Sequence, residues 1–253
     1  MIKAVLLDLD NTLLLFDEKL FMTHYLALLA PKFSDVLGSD EFRDALLKAT
    51  AKLMKNRGPD TNLQVFLGDF SDSIPALSTE IIKKRFASFY TNEFTDIRRI
   101  CAPNQFIGKL IEKLTKMRGI KLVLATNAVF TRSAIVERVS WAGVDAQIFD
   151  LITHCEIMHS CKPRKEYFLE ISELIGIQPT SCLMIGNDKI NDMVAGHIGM
   201  KTYLLLDSPT NKSSNFEVIQ QDMINDEETP LPDFCGSMED LILLLSLIGR
   251  CSV

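Results

Sequence analysis

Short apolar runs along the chain predict a set of buried strands. Each run is too short for a typical helix and is bounded by polar or turn-forming residues, as expected for strands buried on both faces of a parallel sheet. The five runs cover residues 4–9, 122–125, 151–153, 182–185 and 202–206.

Amphipathic patterns between these runs predict helices. In residues 104–117, Phe106, Leu110 and Leu114 recur every four positions and form one apolar face. A glycine follows each predicted helix, where a left-handed C-terminal cap favours a residue without a Cβ. Because strand, helix and glycine recur four times, the sequence predicts a doubly wound parallel sheet of the α/β class. The predicted helices are 104–117, 131–141, 165–175 and 192–198, and the glycines are Gly119, Gly143, Gly176 and Gly199.

Residues 16–100 break this alternation. They contain no apolar run typical of a strand, but three stretches have helical periodicity. We therefore predict a helical domain inserted after the first strand, with residues 1–15 and 101–253 forming the α/β core. The three helical stretches are 18–29, 40–54 and 79–90.

The last part of the chain predicts a loop followed by a helix. Residues 207–233 are polar, contain proline and include an acidic run at 226–228, which is typical of a surface loop or linker. Residues 237–248 are rich in leucine and predict the final helix.

Composition and charge narrow the functional classes. Hydrophobic residues make up 47% of the 253 positions, with only 12 glycines and 9 prolines, which excludes a disordered or collagen-like chain. The net charge of −6 argues against sequence-independent binding of nucleic acids, because such binding needs clustered Lys and Arg to displace phosphate counterions.

The hydrophobic pattern also gives an expectation about compartment. The longest apolar stretch is far shorter than the roughly 20 residues that cross a bilayer, and the first residues lack the apolar core of a signal peptide. The six cysteines form no CxxC pair and are expected to be reduced thiols. We therefore expect a soluble cytoplasmic protein with neither nucleic acids nor membranes as partners.

Polar side chains follow four of the predicted strands. The carboxyl ends of parallel strands meet at one edge of a sheet, which is where open α/β sheets bind their ligands. Side chains from four separate parts of the sequence are therefore expected to meet there. They are Asp8, Asp10, Thr126, Asn127, Lys162, Asn187, Asp188 and Asp192.

The carboxylates of this group predict a site for a divalent cation. Two full charges about 4 Å apart repel by about 4 kcal/mol at an effective dielectric near 20, so crowded carboxylates either gain protons or bind a cation. Oxygen donors with room for water are what Mg²⁺ prefers. A cation, Lys162 and a donor from Thr126 or Asn127 would together suit a phosphate dianion, with one Asp as nucleophile and another moving a proton.

Four motifs carry these side chains. They read DLDNT at 8–12, ATN at 125–127, CKP at 161–163 and GNDKIND at 186–192. In this order they resemble the motifs of the haloacid dehalogenase-like (HAD) hydrolase superfamily, over nearly all of residues 1–15 and 101–206. The long gap after the first motif lies where one subclass carries a helical cap. The resemblance therefore implies a HAD-like Rossmannoid core with residues 16–100 as an all-helical cap domain.

The resemblance implies a catalytic role for each matching residue. Asp8 would attack phosphorus and become an aspartyl phosphate. Asp10 would protonate the leaving oxygen and then activate water, and its backbone carbonyl would help to bind Mg²⁺. Thr126 and Lys162 would hold the phosphoryl oxygens, with Asn127 beside them.

The fourth motif leaves the metal ligand open between two positions. Many members read Gly-Asp at this point, whereas this chain reads Gly186-Asn187-Asp188. Asp188 would join Asp8 and Asp10 at Mg²⁺, and an alignment that places Asn187 at the ligand position is the alternative. Asp192 would act near the metal or near the motif lysine.

Together these residues predict a Mg²⁺-dependent phosphatase acting on a small phosphorylated metabolite. A phosphomutase would share the aspartyl phosphate, and a non-catalytic binding or regulatory protein could use the same scaffold. Dehalogenation agrees less well with the motifs, because the resemblance implies that dehalogenating members lack the second aspartate, and Asp10 is present. The sequence specifies neither the substrate nor the oligomeric state.

Overall fold

A computed structural model of the protein describes residues 1–207 and 229–248. The strands in that part of the chain are β1 Ala4–Leu7, β2 Leu14–Leu15, β3 Ala102–Pro103, β4 Lys121–Leu124, β5 Leu151–Ile152, β6 Cys182–Gly186, β7 Lys201–Leu205 and β8 Phe234–Gly236. The helices are α1 Glu18–Leu29, α2 Ser39–Met54, α3 Asn62–Ser73, α4 Thr79–Thr91, α5 Ile107–Thr115, α6 Arg132–Trp141, α7 Lys165–Ile175 and α8 Met238–Ile248.

Six of these strands form one parallel sheet in the order β5-β4-β1-β6-β7-β8. β1 lies between β4 and β6, with Leu6 opposite both Val123 and Met184. All four residues of β1 are buried, because helices cover both faces of the sheet. The predicted doubly wound α/β fold is confirmed, and each of the five predicted strands is present with its ends shifted by at most two residues.

β8 is an addition to the predicted sheet. It pairs in parallel with β7 at the sheet edge, with Leu204 opposite Cys235. Its three residues are too few to give a hydrophobic pattern of their own. The loop predicted at 207–233 lies largely outside the described residues.

The predicted helices of the core are also present. α7 covers the predicted residues, and Gly176 caps it in the left-handed conformation with φ of 66°. The predicted helix at 192–198 is instead a 3₁₀ helix, Met193–Ile198, which ends at Gly199 with φ of 84°.

Residues 16–100, here called the cap segment, contain helices and no strand. Three of the helices agree with the predicted stretches. α3 is an addition to them, although its apolar residues are also spaced as in a helix: Leu63, Phe66, Leu67 and Phe70. Thr61 begins α3 with a capping box that includes Gln64. A cluster of phenylalanine rings, including Phe33 and Phe70, fills the space between the helices. The division of the chain into two domains at these boundaries stays a prediction.

The two ends of the cap segment lie side by side. β2 precedes the segment and β3 follows it, and they pair antiparallel with Leu14 opposite Pro103 and Leu15 opposite Ala102. The segment therefore leaves the core and returns to it at one place, next to the loop that follows β1.

A second attachment joins the start of α3 to the core. The fully buried Asn62 donates from Nδ2 to the carbonyl oxygens of Ala128 and Ser160, at 3.2 and 3.1 Å. Its backbone N–H donates to Met158, and the N–H of Leu63 donates to Cys155. These bonds tie the cap segment to the two core loops that carry the second and third motifs.

No helix in the described part of the chain is long and apolar enough to cross a membrane. The cysteines described there carry free thiols, as the sequence predicts. Cys251 lies outside the described residues.

Candidate active site

The motif side chains meet at the carboxyl edge of the sheet, around a pocket of about 130 Å³. Apolar side chains of the cap segment, such as Phe16, Phe21 and Met22, form its opposite wall. Thr126 is the one predicted residue that is not among those lining the pocket. The seven that line it are Asp8, Asp10, Asn127, Lys162, Asn187, Asp188 and Asp192.

Lys162 connects two of the carboxylates. It follows β5 and is 1% exposed, and its Nζ donates to Asp8 Oδ1 at 2.7 Å and to Asp192 Oδ1 at 2.6 Å. Burial alone would lower the pKa of Lys162, but Asp192 and Asp8 raise it above its usual value. A charged lysine therefore holds Asp8 in a fixed orientation and partly neutralises it.

A glycine makes room for Asp192. A Cβ on Gly186, the last residue of β6, would lie 2.0 Å from Asp192 Oδ2 and 2.4 Å from its Cγ. Asp192 is fully buried, and its Oδ2 also accepts from the backbone N–H of Asp188 at 3.1 Å. The close approach to β6 therefore requires glycine at position 186, and it places the carboxylate against Lys162.

The side chains of Asn187 and Asp188 face different surroundings. Thr12 Oγ1 lies 3.2 Å from Asn187 Oδ1 and 3.3 Å from Asp8 Oδ2, so Asn187 sits beside the first motif. Asp188 instead accepts at Oδ1 from the backbone of Ile190 and Asn191, and at Oδ2 from the Asn191 side chain at 2.7 Å. Asp188 thus stabilises its own loop, whereas Asn187 offers an oxygen next to Asp8.

The second motif contributes in two ways. The backbone carbonyl of Thr126 accepts hydrogen bonds from Thr153 Oγ1 and Tyr167 OH, at 2.8 and 2.7 Å, and its side chain is buried. These bonds fix the strand end. Asn127 is partly exposed in the pocket, and its buried Oδ1 has no hydrogen-bond partner in the described structure. Asn127 is therefore the residue of this motif that faces a ligand.

Asp10 forms an ion pair that the sequence analysis missed. Arg138 Nη2 donates to Asp10 Oδ1, and the guanidinium lies 5.1 to 5.4 Å from the ring centroids of Phe16, Phe21 and Phe130. Burial raises the pKa of Asp10, Arg138 acts against this, and the nearby Asp8 raises it further. The net shift is upward, which favours a carboxyl that can carry a proton.

The signal for Arg138 was present in the helix pattern. The buried positions of α6 are Ala134, Ile135, Arg138, Val139 and Trp141, so the arginine lies on the apolar face. A charged residue on a buried helix face requires a partner of opposite charge, because burying an unpaired charge is costly. Nothing in the sequence identifies Asp10 as that partner, since 128 residues separate the two.

The pocket suits a magnesium ion that has few protein ligands. Five acidic and two basic side chains line it, so the pocket has a formal charge of −3 when all are ionised. No three His, Cys, Asp or Glu side chains among the described residues are grouped as a metal site on their own. Mg²⁺ usually keeps several waters and takes one or two carboxylates plus substrate phosphates. The oxygens of Asp8 and Asn187 fit that chemistry, and the residues that line the pocket include neither histidine nor cysteine.

The sequence matches a known family over most of its length. Residues 2–197 match the haloacid dehalogenase-like hydrolase family. No curated protein matches the chain by sequence.

Solved structures share the fold over nearly the whole chain. L-2-haloacid dehalogenase from Xanthobacter autotrophicus, with chloropropionic acid covalently bound, is 15% identical, and the alignment covers 97% of this chain and 99% of that one with a TM-score of 0.54. The HAD phosphatase from Thermococcus onnurineus is 18% identical, with coverage of 96% and 98% and a TM-score of 0.54. YfnB from Bacillus subtilis, described as a HAD-hydrolase bound to magnesium, is 18% identical, with coverage of 97% and 99% and a TM-score of 0.53. At these identities the likeness establishes the fold, which proteins of both reaction types share.

Proposed function

The chain belongs to the haloacid dehalogenase-like hydrolases, and from that premise we propose that it is a Mg²⁺-dependent phosphatase of a small phosphomonoester. Because dehalogenases and phosphatases share the fold, the choice between them depends on the site. The observation that supports a phosphatase is the position of the Asp10 carboxyl. Its carboxyl lines the same pocket as Asp8, and Arg138 holds it there. Phosphoester cleavage needs a group that protonates the leaving oxygen, whereas expulsion of a halide ion needs none.

The reaction in this proposal proceeds through an aspartyl phosphate. A carboxylate oxygen of Asp8 attacks phosphorus while the bond from phosphorus to the ester oxygen breaks. The electron pair stays on the ester oxygen, which takes a proton from Asp10 and leaves as an alcohol. Water then attacks phosphorus, Asp10 accepts a proton from it, and Asp8 and inorganic phosphate are released.

The basic and amide side chains of the pocket bind the phosphoryl group in this proposal. Lys162 contacts Asp8 through Oδ1 alone, which leaves the second oxygen of that carboxylate for attack. Its buried charge also offsets the negative charge of the phosphoryl oxygens. Asn127 lines the pocket from the second motif, and its Nδ2 would donate to one of those oxygens.

Asp8 and Asn187 would hold Mg²⁺, with Asp188 behind them. When bound, Mg²⁺ would supply positive charge to the phosphoryl oxygens and help to align them for attack. The position of Asn187 favours it over Asp188 as the ligand, because Thr12 contacts both Asn187 Oδ1 and Asp8 Oδ2, whereas Asp188 accepts hydrogen bonds from its own loop. The magnesium-bound Bacillus subtilis structure supports the proposal by analogy of fold.

Two variants test which residue faces the metal. Asn187→Asp adds a carboxylate beside Asp8 and is expected to lower the Mg²⁺ concentration that gives half-maximal activity. Asp188→Asn is expected to change that concentration by less than about two-fold, because its role is in the loop. A Mg²⁺ titration of phosphate release measures both. A large rise in the half-maximal Mg²⁺ concentration for Asp188→Asn, with none of the expected fall for Asn187→Asp, would assign the ligand to Asp188.

The proposed activity is tested with paired substrates. Purified protein with Mg²⁺ is given ethyl phosphate, 4-nitrophenyl phosphate or L-2-chloropropionate, and release of phosphate and chloride is measured. We expect phosphate alone. Asp10→Asn should lose about 10²- to 10⁴-fold on ethyl phosphate and less on 4-nitrophenyl phosphate, whose leaving group needs little protonation. Chloride release without phosphate release contradicts the proposal, transfer of phosphate between two hydroxyls indicates a mutase, and no product at all indicates a binding protein.

We also propose a substrate class and a cellular location for the enzyme. A small phosphorylated metabolite as substrate and a cytoplasmic location agree with the free thiols of the described cysteines and with the acidic charge of the chain. Neither nucleic acids nor membranes are needed as partners.

A further inference from the structure

A second cavity lies between the cap segment and the core, next to the active-site pocket. Its volume is about 400 Å³, within the range of about 300–1,000 Å³ that is common for small-molecule sites. Ten of its seventeen lining side chains contain neither nitrogen nor oxygen.

The second cavity adjoins the pocket that contains Asp8. Met22, Val129 and Phe130 line both spaces, so these three side chains form their common boundary. Met22 is unbranched and flexible, and it can change rotamer to connect the two spaces. A ligand with its phosphoryl group at Asp8 would therefore extend its organic group past Met22.

We propose that the organic group of the substrate is apolar, an alkyl or aryl group that occupies this second cavity. This inference rests on the proposed phosphatase function, because it places the ester oxygen of the substrate between the two spaces. Burial of apolar surface gives the binding free energy, and the phosphoryl group gives the orientation.

The polar groups of the second cavity support an apolar occupant. Tyr25 and Tyr90 are the tyrosines that line it, and their hydroxyls bond to each other at 2.8 Å. One of the two O–H groups is donated within the pair, so a single hydroxyl proton is left to face the cavity or a neighbouring acceptor. Lys83 and Glu156, the charged residues of the lining, are both exposed and belong to the solvent side of the cavity. The inner wall is formed by side chains such as Leu67, which is buried and offers only apolar contact.

Binding of n-alkylphosphonates tests the inference without requiring turnover. Ethyl- to octylphosphonate, below the concentrations at which they aggregate, are titrated into the whole protein with Mg²⁺ by calorimetry. Each added methylene should tighten Kd by about two- to four-fold until the cavity is filled, since a buried methylene contributes about 0.8 kcal/mol. The change in heat capacity on binding should become more negative along the series.

Two alanines on exposed helix positions supply matched variants. Ala87 on α4 lines the second cavity, and Ala27 on α1 does not. Ala87→Phe places a ring in the cavity and should return the Kd of octylphosphonate toward that of ethylphosphonate, while Ala27→Phe should leave it unchanged. Because both positions are exposed, neither ring has to enter the packed core.

The outcomes separate this inference from the proposed function. A Kd that does not change with chain length, or an Ala87→Phe variant that keeps the wild-type preference, overturns the inference even if phosphate esters are hydrolysed. Chain-length-dependent binding without hydrolysis of the matching alkyl phosphates keeps the cavity assignment and rejects the phosphatase function. Binding and hydrolysis that both rise with chain length support both.

Discussion

The buried pair of Arg138 and Asp10 predicts an unequal effect of removing either partner. The side chain of Arg138 is 1% exposed and that of Asp10 is 31% exposed. Asp10→Asn leaves a guanidinium charge among aromatic rings, where water cannot reach it, and Nε and Nη1 of Arg138 already have no partner in the described structure. Removing one partner of a buried pair costs about 3 kcal/mol or more. For a chain of this size that is a fall in Tm of about 6 to 12 °C.

The reverse substitution should cost less. Arg138→Met leaves a partly exposed carboxyl that can take up a proton, because burial already raises its pKa and Arg138 no longer opposes this. The thioether packs against the rings of Phe16, Phe21 and Phe130. We expect a loss of about 1 kcal/mol, within the range for mild substitutions. The double variant should also lose only about 1 kcal/mol, because replacing a whole buried pair is often nearly neutral. The coupling free energy between the two positions is then about 3 kcal/mol, at the upper end of measured values.

Urea unfolding of the four proteins measures this cycle. Trp141 is the single tryptophan, is 3% exposed and lies 5.0 Å from the ring of Phe94, so its fluorescence reports on the contact between α6 and the cap segment. Circular dichroism should follow the same transition if unfolding is two-state. Arg132→Met, at an exposed position of the same helix, is the control and should stay within about 0.5 kcal/mol of wild type. Additive losses, or a smaller loss for Asp10→Asn than for Arg138→Met, would refute the reasoning.

Two further substitutions test other parts of the site. Gly186→Ala should displace Asp192, destabilise the protein by about 3 kcal/mol and lower kcat/KM by at least about ten-fold. The control Gly108→Ala, at an open helix position, should stabilise the protein by about 0.5 to 1 kcal/mol. Thermal unfolding and phosphate release measure both variants, and equal effects would contradict the close contact between Gly186 and Asp192. Asn62→Ala removes the hydrogen bonds to two core loops and should lower the free energy of unfolding by about 1 to 3 kcal/mol. Proteolysis near residues 55–63 should become faster. Unchanged stability would show that other contacts hold the cap segment on the core.

The elements that sequence predicts well are those whose own pattern defines them. β1 and β6 are continuous apolar runs, and α7 shows a full amphipathic repeat that ends at Gly176, so the burial of each can be predicted locally. β8 is only three residues long and is a strand because β7 offers it a free edge. Tertiary context decides an element of this kind. α3, in contrast, has a local signal in its capping box and in the helical spacing of its apolar residues, and packing on α2 stabilises it further.

The contacts of the candidate site also fall into two groups, those that the sequence predicts and those that depend on tertiary structure. The motifs bring Asp8, Lys162 and Asp192 to one edge of a parallel sheet, and the topology alone requires them to meet. Arg138 reaches Asp10 from a helix face, a contact that depends on side-chain direction rather than on position along the chain. The orientation of Asn187 toward Thr12 likewise depends on the loop that Asp188 stabilises. Sequence thus predicts which groups gather, and the structure determines which groups pair.

In the proposed reaction Asp8 becomes phosphorylated during turnover, and trapping the aspartyl phosphate tests this step. Wild-type protein and Asp8→Asn are mixed with Mg²⁺ and labelled 4-nitrophenyl phosphate, quenched in acid within milliseconds, and digested for mass spectrometry. We expect label on the peptide that contains Asp8 in the wild type and none in Asp8→Asn. Asp10→Asn should hold more label than the wild type, because no base activates water for the second step. Phosphate release by the wild type without a labelled peptide, or label that persists in Asp8→Asn, would contradict the proposed reaction.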